Sequence, residues 1–136
     1  MGAATLARPL VILAVENERT RAAYAYGLVA AGFEVTTAGA AAPRTQGCRP
    51  HIIVADVSAG PPDDWMRVQC FRRDARTRGV PIVALAGDVG AGTRDRARRE
   101  GCAAVCLNTC PADVLASGLR AVLDQTQVAQ AAHAAR

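Results

Sequence analysis

The chain has 136 residues, 51% of them hydrophobic, and a formal net charge of +4. That is room for one ordinary core and not for two, the apolar content argues against disorder, and so modest a charge does not argue for nucleic-acid binding. All sixteen basic residues are arginine, so within this chain any chemistry that needs a lysine is excluded.

Residues 1–8 precede the pattern as an extension. Pro9–Val15 reads as a buried strand, and Asn17–Ala31 as a helix with Asn17 as its cap and Gly32 as its stop. Phe33–Ala38 alternates as a second strand. Gly39–Gly47 makes a poor short helix, because Pro43 sits inside it. His51–Val57 is a third strand, apolar until Asp56. Gly60-Pro61-Pro62 is a turn, Asp63–Thr77 is helical, and Gly79 breaks the pattern. Val80–Ala86 is a fourth strand, with Pro81 tolerable near its start. Gly87–Gly92 is a glycine-rich loop, and Thr93–Glu100 an arginine-rich helix ended by Gly101. Ala103–Leu107 is a fifth strand. Pro111 suits the first turn of a last helix running to about Ala132, with residues 125–136 extending it beyond a domain that spans 9–124. Val114, Leu115, Leu119, Val122 and Leu123 recur on this helix at helical spacing, and most of them are expected to face the sheet.

Five apolar strands alternating with helices predict an α/β fold, a parallel sheet covered on both faces in three αβα layers. In such sheets the site lies at the carboxyl ends of the strands. Those ends carry Glu16-Asn17-Glu18, Asp56, Ala86-Gly87-Asp88 and Asn108-Thr109. An acidic cluster after the first strand and a lone aspartate ending the third converge on one rim. Mutually repelling carboxylates of this kind suit a hard cation such as Mg²⁺.

The ordered set of Val11–Glu18, Ile52–Asp56, Pro81–Ala86 and Gly101–Asn108 resembles the response-regulator receiver domain, over about residues 9–124. The resemblance implies a flavodoxin-like (βα)5 fold with sheet order 2-1-3-4-5, right-handed crossovers, and a place in two-component phosphorelay signalling. It puts Asp56 at the phosphoacceptor position and Glu16 at the first acidic position. Asn17 stands where the family has a carboxylate ligand for Mg²⁺, and Ser58 where a backbone carbonyl meets the metal. Ala86 stands at the hydroxyl position, Asn108 at the lysine position and Val105 at the aromatic switch position. Gly60 replaces the usual proline, although Pro61 is next to it, and Asp64 replaces a usual glycine. The leading expectation is therefore a degenerate, single-domain receiver in the cytoplasm. It would bind Mg²⁺ weakly through Glu16, Asn17, Asp56 and Ser58, and would not be an enzyme. It would act by meeting a protein partner, a sensor histidine kinase or other signalling protein or a second copy of itself, through Arg94, Arg98 and Arg99. Neither nucleic acid nor membrane is expected as a partner. The first rival is a working phosphoacceptor at Asp56.

Other readings attach to particular residues. Gly87–Thr93 has the spacing of a phosphate-binding loop without its lysine, which makes a small nucleotide-binding domain a second rival. The five cysteines are Cys48, Cys70, Cys102, Cys106 and Cys110. With no secretory signal before them, free thiols are expected. Cys102, Cys106 and Cys110 are evenly spaced as metal ligands would be, but small buried hydrophobes suit a strand and the loop after it better. His51 and His133 have no partner by sequence, and Glu16 and Glu18 could be ordinary helix N-terminal acids.

Overall fold

The structure, a computed structural model, describes residues 8–37, 49–58 and 65–134. The expected short helix over 39–47, the turn at 60–62, Asp64 and Cys48 lie outside the described residues. In chain order the elements are β1 (Leu10–Ala14), α1 (Glu18–Ala30), β2 (Glu34–Thr37), β3 (Ile52–Asp56), α2 (Met66–Arg73), β4 (Ile82–Ala86), α3 (Ala91–Arg99), β5 (Ala104–Leu107) and α4 (Ala112–Ala134). The five strands are parallel and ordered β2-β1-β3-β4-β5, the flavodoxin-like order.

Successive residues of a strand point to opposite faces, and β1 shows the consequence. Val11, Leu13 and Val15 join a core with Tyr24 and Leu28 of α1 and with Leu115 and Leu119 of α4. Ile12 and Ala14 join a second core with Val68 and Phe71 of α2 and Ala97 of α3. A strand that must satisfy both layers has no polar position to spare, which is why β1, β3 and β4 read as unbroken apolar runs.

The helix boundaries follow local hydrogen bonding. Asn17 caps α1, its side-chain oxygen accepting from the Thr20 amide at 3.0 Å. Gly32 and Gly101, at φ 99° and 84°, close α1 and α3 in a backbone region that side chains disfavour. α2 is shorter than the Asp63–Thr77 pattern predicts and ends at Arg73. The Asp74 side chain accepts from the Arg76 amide at 2.9 Å, and the Thr77 hydroxyl donates to the Phe71 carbonyl at 2.6 Å. These side chains compete with the helical ladder and win. α3 starts at Ala91 rather than Thr93. The Asp88 carboxylate accepts from the Gly90 amide at 3.0 Å and from the Thr93 hydroxyl at 2.7 Å. That turn starts the helix two residues early.

On α4, Leu115 and Leu119 are fully buried, Val122 is buried and Leu123 partly so, as the spacing predicts. Val114 instead is 52% exposed. α4 crosses α1 closely at Gly27, where a built β-carbon would stand 2.3 Å from the Ala112 β-carbon.

Two stability predictions follow from this packing. Leu119→Ala should cost about 2–5 kcal/mol, whereas Val114→Ala should stay within about 0.5 kcal/mol of the native chain. Gly27→Ala should destabilise by about 1–3 kcal/mol through overpacking, although helix propensity alone favours alanine by about 1 kcal/mol. Urea unfolding measures all three.

Candidate functional site

Parallel register brings the chemistry-bearing strand ends together. Ala14 pairs with Ala55, Asp56 with Leu85, and Ala86 with Leu107. The ends of β1, β3, β4 and β5 therefore lie side by side, about 4.8 Å between neighbours. Asp56 closes β3 and is only 7% exposed. Its Oδ1 accepts from the Ser58 amide at 2.9 Å and from the Ser58 hydroxyl at 2.5 Å. The Ser58 oxygen in turn accepts from Nδ2 of Asn108 at 2.9 Å. An amide, a hydroxyl and a carboxylate thus form one chain from the loop after β5 to the end of β3.

Asn108 is seated by its own backbone, which donates to the Ala86 carbonyl at 2.9 Å. Ala86, 4% exposed, turns its methyl into the core that includes Ala55 and Ala97. Val105 packs half-buried against that same core. Ala86 and Asn108 stand at the rim and Val105 two residues before the end of β5, and none presents a hydroxyl, an ammonium or an aromatic ring.

The first acidic position is tied up differently. Glu16 lies 3.8 Å from the Arg67 guanidinium. Arg67, on α2, also donates to the Ala14 carbonyl at 3.0 Å. Arg21, on α1, donates to the Val15 and Glu16 carbonyls at 2.9 and 3.1 Å. Two guanidinium groups thereby hold three consecutive carbonyls at the end of β1. Neither arginine stands out in the sequence pattern. For Arg67 the signal was its place four residues before the core residue Phe71, a face where a charged side chain needs a reason.

A divalent cation in this rim would need several free oxygen donors in tight geometry. Several of the side-chain donors expected to hold it are engaged elsewhere. Asp56 Oδ1 carries two hydrogen bonds, the Asn17 side-chain oxygen is spent on the helix cap, and Glu16 pairs with Arg67. Ser58 uses its amide and hydroxyl toward Asp56. Among the described residues no group of three His, Cys, Asp or Glu stands together as a metal site.

The loop after β5 is anchored from α1. The buried Tyr24 hydroxyl shares its proton between the Cys110 and Asn108 carbonyls, at 2.7 and 3.0 Å. Burial, and then Cys110 beside it, raise the Tyr24 hydroxyl above its ordinary range. Cys102, Cys106 and Cys110 are part-buried and divide between the two cores, Cys102 on one face of the sheet and the others on the opposite face. They do not form one ligand set. His51 is structural: its Nδ1 accepts from the Leu10 amide at 2.9 Å, joining the start of β3 to β1.

The stretch 87–93 divides between a short loop and α3. Its Gly90 amide and Thr93 hydroxyl both serve Asp88, whose carboxyl they hold below its ordinary value, the Thr93 bond first. One amide and one hydroxyl of the stretch are thus engaged with a carboxylate. Further along α3, Arg96 lies over the Trp65 ring, 5.6 Å from its centroid, and pairs with Glu100 at 2.8 Å. Arg94, Arg98 and Arg99 are exposed. Arg94 and Arg98 line a groove of about 440 Å³ between α3 and β5, together with Cys102, Ala104 and Val105.

No protein-family model matches the chain, and no curated protein does. Solved structures do. A chemotaxis response regulator of Vibrio cholerae superposes with a TM-score of 0.74 at 20% identity, covering 85% of this chain and 99% of that one. A response regulator from Desulfuromonas acetoxidans gives 0.71 at 20% identity, over 86% and 98%. NtrX from Brucella abortus gives 0.79 at 18% identity, over 96% of this chain and 30% of that one. The chain has the fold of these proteins. No helix among the described residues is long and apolar enough to cross a membrane.

The thiols carry a pH prediction. Burial, and then the Glu100 charge, raise Cys102 from its ordinary 9.0 to about 11. The folded chain therefore keeps a proton that the unfolded chain releases. Stability from this group is complete below pH 9 and is lost as pH rises through about 11. The urea midpoint should fall across that window. The fall should be smaller in Cys102→Ala but not absent, because burial raises Cys106 in the same direction.

Proposed function

We propose that this chain is a degenerate receiver of two-component signalling, working in the cytoplasm by binding a protein partner, with phosphorylation of Asp56 weak or absent. The observation that carries the reading is the Asn108–Ser58–Asp56 chain. In a working receiver a phosphoryl group on the aspartate recruits a hydroxyl and a lysine, and those pulls drive the switch. Here the acceptor carboxylate is already satisfied by its own loop. A phosphoryl group here would find no hydroxyl at Ala86, whose methyl lies in the core, and only the neutral Asn108 amide where the family has a lysine. A charge-assisted hydrogen bond contributes about 1.5–3 kcal/mol, and the rim lacks the partner for at least one. A ligand shifts a conformational equilibrium only through contacts that differ between the two states. With those contacts missing, what the domain offers a partner is its surface.

That surface is the α3–β5 groove, where the exposed Arg94 and Arg98 stand beside Val105. Arginine binds carboxylates as a planar fork, so the complementary partner surface is acidic. A sensor histidine kinase, another signalling protein or a second copy of the chain would each meet it through the same residues.

Two measurements test the reading. Acetyl phosphate added to the ¹⁵N-labelled chain should shift only amides in the loops around Asp56, Ala86 and Asn108. Shifts spreading through α3 and β5 would establish a working switch and sink the degenerate reading. Separately, reversing charge at Arg98 and Arg99 should weaken association with the kinase or chain copy that the native protein binds by about tenfold or more, some 1.4 kcal/mol. Asp56→Asn should leave that association within about twofold.

A further inference from the structure

Arg67 is an unusual residue for its place. It lies on α2 between the core positions occupied by Trp65, Val68 and Phe71, and its side chain is only 11% exposed. Burying a guanidinium is costly unless its charge is answered. Its answers are the Ala14 carbonyl at 3.0 Å and the Glu16 carboxylate at 3.8 Å. Ala14 is in register with Ala55, the residue before Asp56. The cation is thus fixed at the strand end beside the one that carries Asp56, and is paired with the other acidic group of the rim.

We propose that Arg67 is a resident counter-cation of the Asp56 rim, standing in for the charge of a divalent metal and closing the rim to metal ions. The inference rests on the reading of Asp56 as an acceptor-type position, and its physical content is simple. Positive charge near a cation site repels the incoming ion and also occupies the carboxylate that would bind it. A divalent ion binding at Glu16 and Asp56 would compete with Arg67 for the Glu16 carboxylate, 3.8 Å from the guanidinium, and would sit beside that fixed positive charge. Arg21, exposed enough to reach water and bound only to carbonyls, does not take a carboxylate away from the rim. Arg67 does. The rim therefore trades an exchangeable, concentration-dependent cation for a covalently attached one, and its electrostatics become independent of metal supply.

Mn²⁺ titration of the ¹⁵N-labelled chain, read as paramagnetic broadening, tests this, with Mg²⁺ competition to confirm the site. The native chain should show no saturable broadening at Glu16, Asp56 or Ser58 in the low millimolar range, the regime of weak carboxylate sites. Arg67→Met, which keeps the stem and removes the charge, should bind at least about tenfold more tightly at those amides. Arg67→Lys, which keeps the charge, should stay near the native value. Glu16→Gln in the Arg67→Met background should remove the gain. An Arg67→Met chain that binds no better than native overturns the inference, as does an Arg67→Lys chain that gains as much as Arg67→Met. Micromolar binding by the native chain overturns it also, and that titration decides the matter even if Arg67→Met does not fold. A gain confined to Glu16 and Glu18, with Asp56 unaffected, would support Arg67 as the counter-cation while contradicting the acceptor reading of the rim.

Discussion

A carboxylate almost out of contact with water at the end of the central strand must be satisfied by something, because an unanswered buried charge is among the costliest features a fold can carry. In this chain Asp56 is answered from within. The Ser58 amide and hydroxyl reach back two residues to Oδ1, and Asn108 completes the chain from the far side of the sheet. The rest of the rim follows from that closure. Position 86 can turn a methyl into the core because nothing at the rim calls for a hydroxyl there. The loop after β5 can be held by Tyr24 through its carbonyls, leaving the Asn108 side chain free to face Ser58.

The same economy governs charge. Across 136 residues the only basic side chain is arginine, and the structure puts it to three kinds of use. Arg21 and Arg67 hold carbonyls at the end of β1, Arg96 is spent between Trp65 and Glu100, and Arg94, Arg98 and Arg99 are exposed on α3, Arg98 with Asp95 3.4 Å away. Guanidinium groups suit all three, being planar, permanently charged and weakly hydrated. Of the exposed set, Arg94 and Arg98 border β5, whose residue Val105 also lines the groove. The proposed binding surface and Val105, which stands where receivers have an aromatic switch residue, therefore meet at one sheet edge. This is the arrangement expected if recognition has been kept and signalling through the acceptor has not.

Much of the fold was legible in the sequence. β1, β3 and β4 are buried on both faces, so they could only be continuous apolar runs, and the glycines at 32 and 101 mark real helix ends. The errors fell where a side chain overrules propensity, as Asp74 does at the end of α2 and Asp88 at the start of α3. Asp56, Ser58 and Asn108 were recognisable as members of one site, but the manner of their contact was not. Resemblance assigns Ser58 a carbonyl role and gives no hint of the bonds that its amide and hydroxyl make. Arg67 was missed because the Ala14 carbonyl it holds lies 53 residues away, and its place four residues before Phe71 marks an unusual charge without showing what it meets. Val114 was missed for the opposite reason, its helical spacing being right and its phase one residue off the buried stripe.

The central claim is that Asp56 and Asn108 are energetically coupled through Ser58, without any added group. A double-mutant cycle of Asp56→Ala and Asn108→Ala, read by urea unfolding, measures that coupling directly. The account predicts an interaction of about 0.5–1.5 kcal/mol, and predicts that it vanishes in a Ser58→Ala background. Additivity of the two substitutions within about 0.3 kcal/mol in the native background would contradict it.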